Sequence, residues 1–391
     1  MKFLSILITI SSLNSGTLVL LVSSTISTSA PQPAYYNAIF NFGDSLSDTG
    51  NFLRSGALAF PNIGKLPYGI TFFGHLTGRC SDGRLVVDFL AEAFGLPYLP
   101  PYLALTDGLN VYHGVNFAVA GATALDPEIF YQLKIGSSLW TNYSLSVQLG
   151  WFKKLKSSLC TTMQGDSECE SYLKKSLFLV GEIGGNDYNY PFFAGGTIQQ
   201  VRALVPLVVE AITKATSALI EEGAVELVVP GNLPIGSTVV YLTLFQTPNK
   251  THYDPRNGCL KAFNAFSKFH NRQLKHALEI LRLKYPQAKI IYADYYAATK
   301  RFIDAPMLYG FENETLFRAC CGAGGPYNFN ISVLCAQEGT TVCQDPSSYV
   351  SWDGIHLTEA AYRVIAKGLV VNGRFITPPP VTSSPFDSPG Y

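Results

Sequence analysis

Charge is what this chain has least of. Only 14% of its 391 residues are Asp, Glu, Lys or Arg, and the 28 basic side chains equal the 28 acidic ones. That balance leaves no electrostatic footprint for a polyanion, and no basic run makes one, so nucleic acid is excluded as a partner class. Cofactor signatures are missing as well. There is no His-Glu-x-x-His, no phosphate loop and no dinucleotide fingerprint, so neither a metal nor an organic cofactor is expected. None of the eight cysteines stands in a Cys-x-x-Cys pair, which argues against zinc or dithiol redox chemistry. Beyond residue 30 no stretch reads as long and apolar enough to span a bilayer.

What is present is apolar: 47% of the residues, enough for one large core or two ordinary ones. Residues 1–30 read as a secretion signal. Lys2 supplies the positive start, residues 3–10 and 18–22 are largely apolar, and Thr28-Ser29-Ala30 offers small residues for cleavage. A membrane anchor is the rival reading. The polar interruption at residues 11–16 counts against it, because spanning takes ~20 largely apolar residues. In a secreted chain (extracellular, cell wall or vacuole) cysteines favour disulfides. Cys160 with Cys169, and Cys335 with Cys343, would each close a short loop; Cys80 stands isolated and reads as free; spacing leaves the pairing of Cys259, Cys320 and Cys321 open. Glycosylation sequons at Asn142, Asn249, Asn313 and Asn330 fit the same compartment.

Apolar periodicity predicts strands over residues 38–42, 114–122, 177–180, 225–229 and 289–292. Helices are predicted over residues 84–94, 147–159, 198–222, 260–285 and 358–369, with Pro206 kinking the third or marking its true start. Strands alternating with helices give an α/β fold: a parallel sheet of about five strands, helices on both faces, right-handed crossovers. No internal repeat or linker divides the chain. A single domain is expected over residues 31–377, followed by a Pro- and Ser-rich disordered tail, residues 378–391.

The chemistry concentrates around residues 38–51. A short apolar run breaks at Gly43 into Asp44 and Ser45, then into Ser47, Asp48, Thr49 and Asn51, residue types that satisfy loose backbone N–H groups. This places a serine at the carboxyl end of a strand, the edge at which open α/β sheets bind ligands. Gly121 stands at the end of the second predicted strand and Asn186 follows the third, and both share that edge. Near the C-terminus, Asp353 precedes His356 by three residues, close enough for the carboxylate to fix the imidazole tautomer. Each feature alone has a plain structural reading: a turn, a loop amide, a surface Asp-x-x-His. Together they supply a nucleophile, a base, an orienting acid and oxyanion donors, the requirements of acyl transfer.

The chain resembles the plant GDSL esterase/lipase family of the SGNH hydrolase superfamily. The resemblance is carried by Phe42-Gly43-Asp44-Ser45-Leu46-Ser47-Asp48-Thr49-Gly50-Asn51, then Gly114-Val115-Asn116-Phe117-Ala118 with Gly121-Ala122. Gly184-Gly185-Asn186-Asp187 and Asp353-Gly354-Ile355-His356 follow in the family's order. Residues 77–84, and Cys320-Cys321-Gly322 with Gly324-Gly325-Pro326-Tyr327-Asn328, resemble in particular the group containing sinapine esterase and acetylajmalan esterase. The resemblance implies a flavodoxin-like three-layer α/β sandwich and a cofactor-free esterase. It implies Ser45 as nucleophile, His356 as base and then acid, and Asp353 as its orienting partner. The oxyanion hole would be formed by Ser45, Gly121 and Asn186. It also implies a small carboxylic ester of specialised metabolism as substrate. The chain lacks the Gly-x-Ser-x-Gly elbow of the α/β-hydrolases.

Two alternatives stand beside hydrolysis: transfer of the same acyl group to another alcohol, and a non-catalytic binding or defence protein on the same fold. The chain also holds decoys. Gly165-Asp166-Ser167 repeats the tripeptide without a preceding strand and reads as a surface loop. His75, His113, His252, His270 and His276 are not placed like His356; His270 and His276 read as solvent-facing or edge positions of a helix. Asp44 and Asp187 are expected to tie loops together rather than to move protons.

Overall fold

Strands form where the densest apolar runs stand: Ile39–Phe42 (β1), Gly114–Asn116 (β2), Leu177–Val180 (β3), Glu226–Pro230 (β4) and Lys289–Ala293 (β5). The computed structural model describes residues 6–8, 22–24, 35–57, 59–106, 110–370 and 373–379. The chain divides into Met1–Ala34 and Tyr35–Tyr391. In the first unit Ile6–Ile8 pairs antiparallel with Val22–Ser24; the rest of the expected secretion signal, and the tail beyond residue 379, lie outside the described residues.

In the second unit the five strands are parallel, in the order β5-β4-β3-β1-β2. Ile376–Thr377 (β6) adds an antiparallel edge to β5, Ile376 opposite Ala293. This short strand lies where the sequence showed only the end of the ordered chain. β1 and β3 are buried at every position, as a sheet covered on both faces requires. Alternate residues of each strand feed two separate cores. Phe40, Phe42, Phe178, Val180, Leu227, Val229, Ile290 and Tyr292 enter one. Ile39, Leu177, Leu179, Val228, Ile291 and Ala293 enter the other.

Three helices cover the first core: Leu145–Thr161 (α2), Val205–Glu221 (α4) and Lys261–Lys284 (α5). They insert Phe152, Val208, Ile212, Phe266, Leu274 and Leu278. Val86–Ala93 (α1), Tyr295–Asp304 (α6) and Glu359–Val370 (α7) cover the second with Leu90, Phe302, Ile365 and Leu369. The result is a three-layer α/β/α sandwich. Because β2 and β3 flank β1 on opposite sides, sheet growth reverses there, and the carboxyl ends of β1 and β3 border the crevice at which such sheets bind ligands.

Several expectations need correction. The helix predicted over residues 198–222 is two, Ile198–Arg202 and α4; Pro206 stands in the first turn of α4, where its missing N–H costs nothing. Residues Ile198–Glu221 do have the length and apolarity to cross a membrane, contrary to expectation. Val205, Val208, Ile212 and Leu219 spend that apolarity in the core. The disulfides are Cys160–Cys169, Cys320–Cys343 and Cys321–Cys335, so the expected Cys335–Cys343 pair does not form. Cys320 and Cys321 enter a short antiparallel ribbon, where successive side chains point to opposite faces, and each meets a different partner. Cys80 is free and buried as expected, and so is Cys259. Residues 165–167 are not a loop but the start of the helix Asp166–Lys174, on the surface.

Candidate active site

At the end of β1 the chain turns through Gly43, whose peptide is clamped by α2. Gln148 Oε1 accepts the Gly43 N–H at 2.9 Å, and Gln148 Nε2 donates to the Gly43 carbonyl at 2.9 Å. The Asp44 N–H donates to the Glu182 carbonyl, just past β3, at 2.8 Å. The N–H groups of Ser47 and Asp48 return to the Asp44 carbonyl at 3.1 and 2.9 Å, closing a turn with Ser45 at its head. Ser45 is 7% exposed. Among the described residues, neither its N–H nor that of Gly121 has a hydrogen-bond acceptor within the protein.

Asp48 ties this turn to the loop after β2. Its buried carboxylate accepts N–H bonds from Gly50, Asn51 and Phe52 at 2.7, 2.6 and 2.9 Å, and from Ala120 at 2.9 Å. Burial pushes it up to about 6 against those four donors. Ala120 precedes Gly121, so Asp48 fixes the approach of that peptide to Ser45. Gly121 has φ +80°, and a Cβ there would stand 2.5 Å from Trp140 Cβ and 3.0 Å from the Tyr190 hydroxyl. Tyr190 donates to the Gly121 carbonyl at 2.8 Å, and the Ala122 N–H of the same peptide donates to the Val119 carbonyl at 3.0 Å, which fixes the chain just after the Gly121 N–H.

Asn186 begins the helix Asn186–Phe193 (α3), half-buried. Its Nδ2 donates to the Ala122 carbonyl at 3.0 Å and, more loosely, to Asp44 Oδ2 at 3.3 Å. Its Oδ1 accepts from Asn189 at 3.2 Å, and Asn189 Oδ1 accepts from Tyr241 at 2.8 Å. This chain turns the amide nitrogen of Asn186 toward the β1 and β2 loops. Asp187 and Asp44 do tie loops, as expected. Asp187 accepts the N–H groups of Ala124 and Leu125 at 2.8 and 2.9 Å, and burial raises it to about 7 against them. Burial pushes Asp44 well above the usual carboxylate range, opposed by the Leu46 N–H and aided by the charges of Glu182, Asp187 and Asp48.

Between β5 and α7, Asp353 and His356 are both buried. His356 Nδ1 lies 2.7 Å from Asp353 Oδ2. Asp353 Oδ1 accepts the backbone N–H groups of His356 and Ile355 at 2.8 and 3.0 Å, and Oδ2 also accepts the Tyr68 hydroxyl at 2.8 Å. Burial opposes ionisation, but the His356 ring and these N–H donors outweigh it and hold the Asp353 carboxyl below its usual range. A carboxylate can only accept, so Nδ1 carries the hydrogen and Nε2 keeps a lone pair. Nε2 is buried and has no hydrogen-bond partner.

Ser45, Asn186 and His356 line one pocket, together with Asp44, Glu182, Leu233, Ile235, Tyr241, Tyr295 and Ile355. Gly121 is not part of its wall; it is joined to the group through the Asn186 bond to Ala122. Asp353 lies behind His356. Among the described residues no Lys or Arg lines the pocket. The predicted residues from four chain segments thus converge, Gly121 at the margin. The supporting residues Gln148, Asn189, Tyr68 and Tyr190 had no signal in the sequence, whereas Asp48 and Asn51 were legible as N–H-satisfying types. Among the described residues no group of three or more His, Cys, Asp or Glu side chains is placed to hold a metal ion.

The decoys stand apart. His75, His113, His252 and His276 are exposed. His270 is not: it is fully buried, its Nδ1 2.7 Å from the Tyr188 hydroxyl, and burial lowers it to about 3. The inward face of α5 is wider than the apolar spacing suggested, and His270 falls on it. All four sequon asparagines, Asn142, Asn249, Asn313 and Asn330, are exposed.

The family model described as GDSL-like Lipase/Acylhydrolase matches residues 39–369. The chain is 56% identical over 347 residues to GDSL esterase/lipase At5g45910 of Arabidopsis thaliana, covering 88% of this chain and 92% of that protein. It is 48% identical over 354 residues to the sinapine esterase of Brassica napus, covering 90% of each. Among solved structures, LAE5, an α/β hydrolase enzyme from the metagenome of Lake Arreo, Spain, aligns with a TM-score of 0.35 at 13% identity, covering 86% of this chain and 96% of that one.

Proposed function

The chain belongs to the GDSL-like lipase/acylhydrolase family and is a carboxylic ester hydrolase; from that premise we propose that it cleaves small carboxylic esters through an acyl-serine on Ser45. The observation that carries this reading is the unpartnered, buried Nε2 of His356, with Asp353 fixed behind it, in the pocket that holds Ser45 and Asn186. In the proposed cycle His356 Nε2 takes the Ser45 proton as Oγ attacks the ester carbonyl. The oxyanion is held by the N–H groups of Ser45 and Gly121 and by the Asn186 amide, which gives up its long contact to Asp44 for a charged acceptor. His356 then protonates the departing alcohol. Water, deprotonated by the same nitrogen, attacks the acyl-serine, and collapse of the second tetrahedral adduct frees the acid and restores Ser45.

Among the described residues the wall carries no Lys or Arg, and Leu233, Ile235, Tyr241 and Ile355 line much of it, which favours a neutral ester. With one relative named for sinapine, a small ester of plant specialised metabolism is the proposed substrate class. We place the protein in the secretory pathway, on residues 1–30, three disulfides and four exposed sequons, and read residues 31–377 as one hydrolase domain.

A fluorophosphonate probe tests the mechanism. It should label the purified protein once, at Ser45 by peptide mapping, and abolish hydrolysis of p-nitrophenyl acetate in proportion to labelling. Labelling elsewhere, or hydrolysis surviving full labelling, would overturn the assignment.

A further inference from the structure

Tyr68 lies 285 residues before Asp353 in sequence, yet its hydroxyl donates to Asp353 Oδ2 at 2.8 Å, the same oxygen that holds His356 Nδ1. The tyrosine is 1% exposed. Its ring is held edge-on by Trp352 at 5.9 Å and by Phe60 at 6.1 Å, and Phe60 also lies 6.3 Å from the His356 ring. The hydroxyl therefore has one direction available, and that direction is the carboxylate. We propose that Tyr68 is a positioning residue for the reaction assigned above: it completes the donor set of Asp353, locks that carboxylate in the plane that meets His356, and sets how strongly the carboxylate stabilises the imidazolium. This rests on the reading of His356 as the base.

The argument is one of counting. Asp353 accepts two backbone N–H bonds on Oδ1 and a ring N–H and a phenol O–H on Oδ2. Without the phenol, Oδ2 serves His356 alone and carries more negative charge toward it, and the carboxylate loses the contact that stops it rotating. The first effect raises the basicity of His356; the second loosens its aim. The other titratable groups around the pair are Cys80 and Tyr362, which feel the charge of Asp353, and Asp44 and Glu182, which share the pocket wall with His356. Cys80 also faces Tyr68, but burial pushes its thiol and the Tyr362 phenol well up, so both stay neutral along the acid limb, and Asp44 and Glu182 are the same in the parent enzyme and both variants.

The test is a pair of changes with opposite signs, read on the kcat/KM pH profile for a neutral ester. Tyr68→Phe keeps the ring between Trp352 and Phe60. It should move the acid limb up by about half a pH unit and lower kcat by about tenfold with little change in KM, the scale of one lost hydrogen bond to a charged group. Site-specific 3-fluorotyrosine at position 68 is a stronger donor of the same shape and should move the acid limb down. It also serves as the readout should Tyr68→Phe fold poorly. Acid limbs that stay together in correctly folded variants, or that move in the same direction, would overturn the role of Tyr68 while leaving the esterase reading intact. A parent enzyme inactive on every ester would overturn both.

Discussion

The tripeptide Gly-Asp-Ser occurs twice, at residues 43–45 and 165–167, and the two copies share nothing but letters. In the first, Asp44 is 4% and Ser45 7% exposed; in the second, every residue is exposed. The first follows a buried strand, is clamped by Gln148 and is bonded to the loop after β3. The second opens the helix Asp166–Lys174 beside the Cys160–Cys169 bridge and faces solvent. A serine hydroxyl is a weak nucleophile in either place. What differs is the surroundings: Ser45 shares a pocket with Asn186 and with His356, whose Nε2 is unpartnered, residues 141 and 311 positions further along the chain.

The strongest way to break that comparison is to exchange its serines for alanine. Ser45→Ala should lose at least ~10⁴-fold in kcat/KM on p-nitrophenyl acetate, the scale seen when an activated nucleophile is removed. Ser167→Ala, on the exposed helix start, should match the parent enzyme within error. Equal rates for Ser45→Ala and the parent would dissolve the difference between the two copies.

The glycines give a smaller contrast, in stability. Gly43 has φ +147°, and a Cβ there would meet Ser47 Oγ at 2.5 Å and the Glu182 carbonyl at 3.1 Å. Gly165 has φ +99°, but nothing lies within 4 Å of its Cβ position. Gly165, with ψ 172°, lies in a region that only glycine readily occupies, so Gly165→Ala suffers backbone strain alone, about 1–3 kcal/mol. Gly43→Ala adds a clash with fixed backbone and should cost about 2–4 kcal/mol. Chemical denaturation of the two variants measures both; similar midpoints would mean that the first turn is less tightly held than its hydrogen bonds indicate.

These contrasts also mark what the sequence could reveal. The first tripeptide stood out because an apolar run preceded it; the second, which lacks one, lies on the surface as expected, though at the start of a helix rather than in a loop. The five parallel strands and the meeting of Ser45 with Asn186 follow from the same logic, since parallel strands bring their carboxyl ends to one edge; His356 lies on no strand end and was legible from its spacing to Asp353 instead. The edge strand β6 was not legible, because two residues carry no period. The pairing of Cys320 and Cys321 with different partners depended on a ribbon too short to foresee. Tyr68, Gln148 and Asn189 were invisible for another reason. A side chain that supports a site through one hydrogen bond looks, in sequence, like any tyrosine or amide, and only the fold shows where its polar atom points.

The smallest expected effect separates the aspartates. Asp166 sits in the first turn of an exposed helix, where a negative charge gains only from the helix dipole, so Asp166→Asn should cost about 0.3–0.5 kcal/mol and leave kcat unchanged. Asp44→Asn preserves charge no better, but its consequence is local. The substituted amide would keep an oxygen for the Leu46 N–H, which Asp44 now accepts at 3.0 Å. The other Asp44 oxygen, 3.3 Å from Asn186 Nδ2, would become an NH₂ facing an NH₂. Two donors cannot share that gap, so the Asn186 amide must turn, and kcat should fall by about tenfold while stability changes little, as expected for one misaligned oxyanion donor retained rather than removed. Matched kcat values for Asp44→Asn and Asp166→Asn would mean that Asn186 holds its place without Asp44, through Ala122 and Asn189 alone.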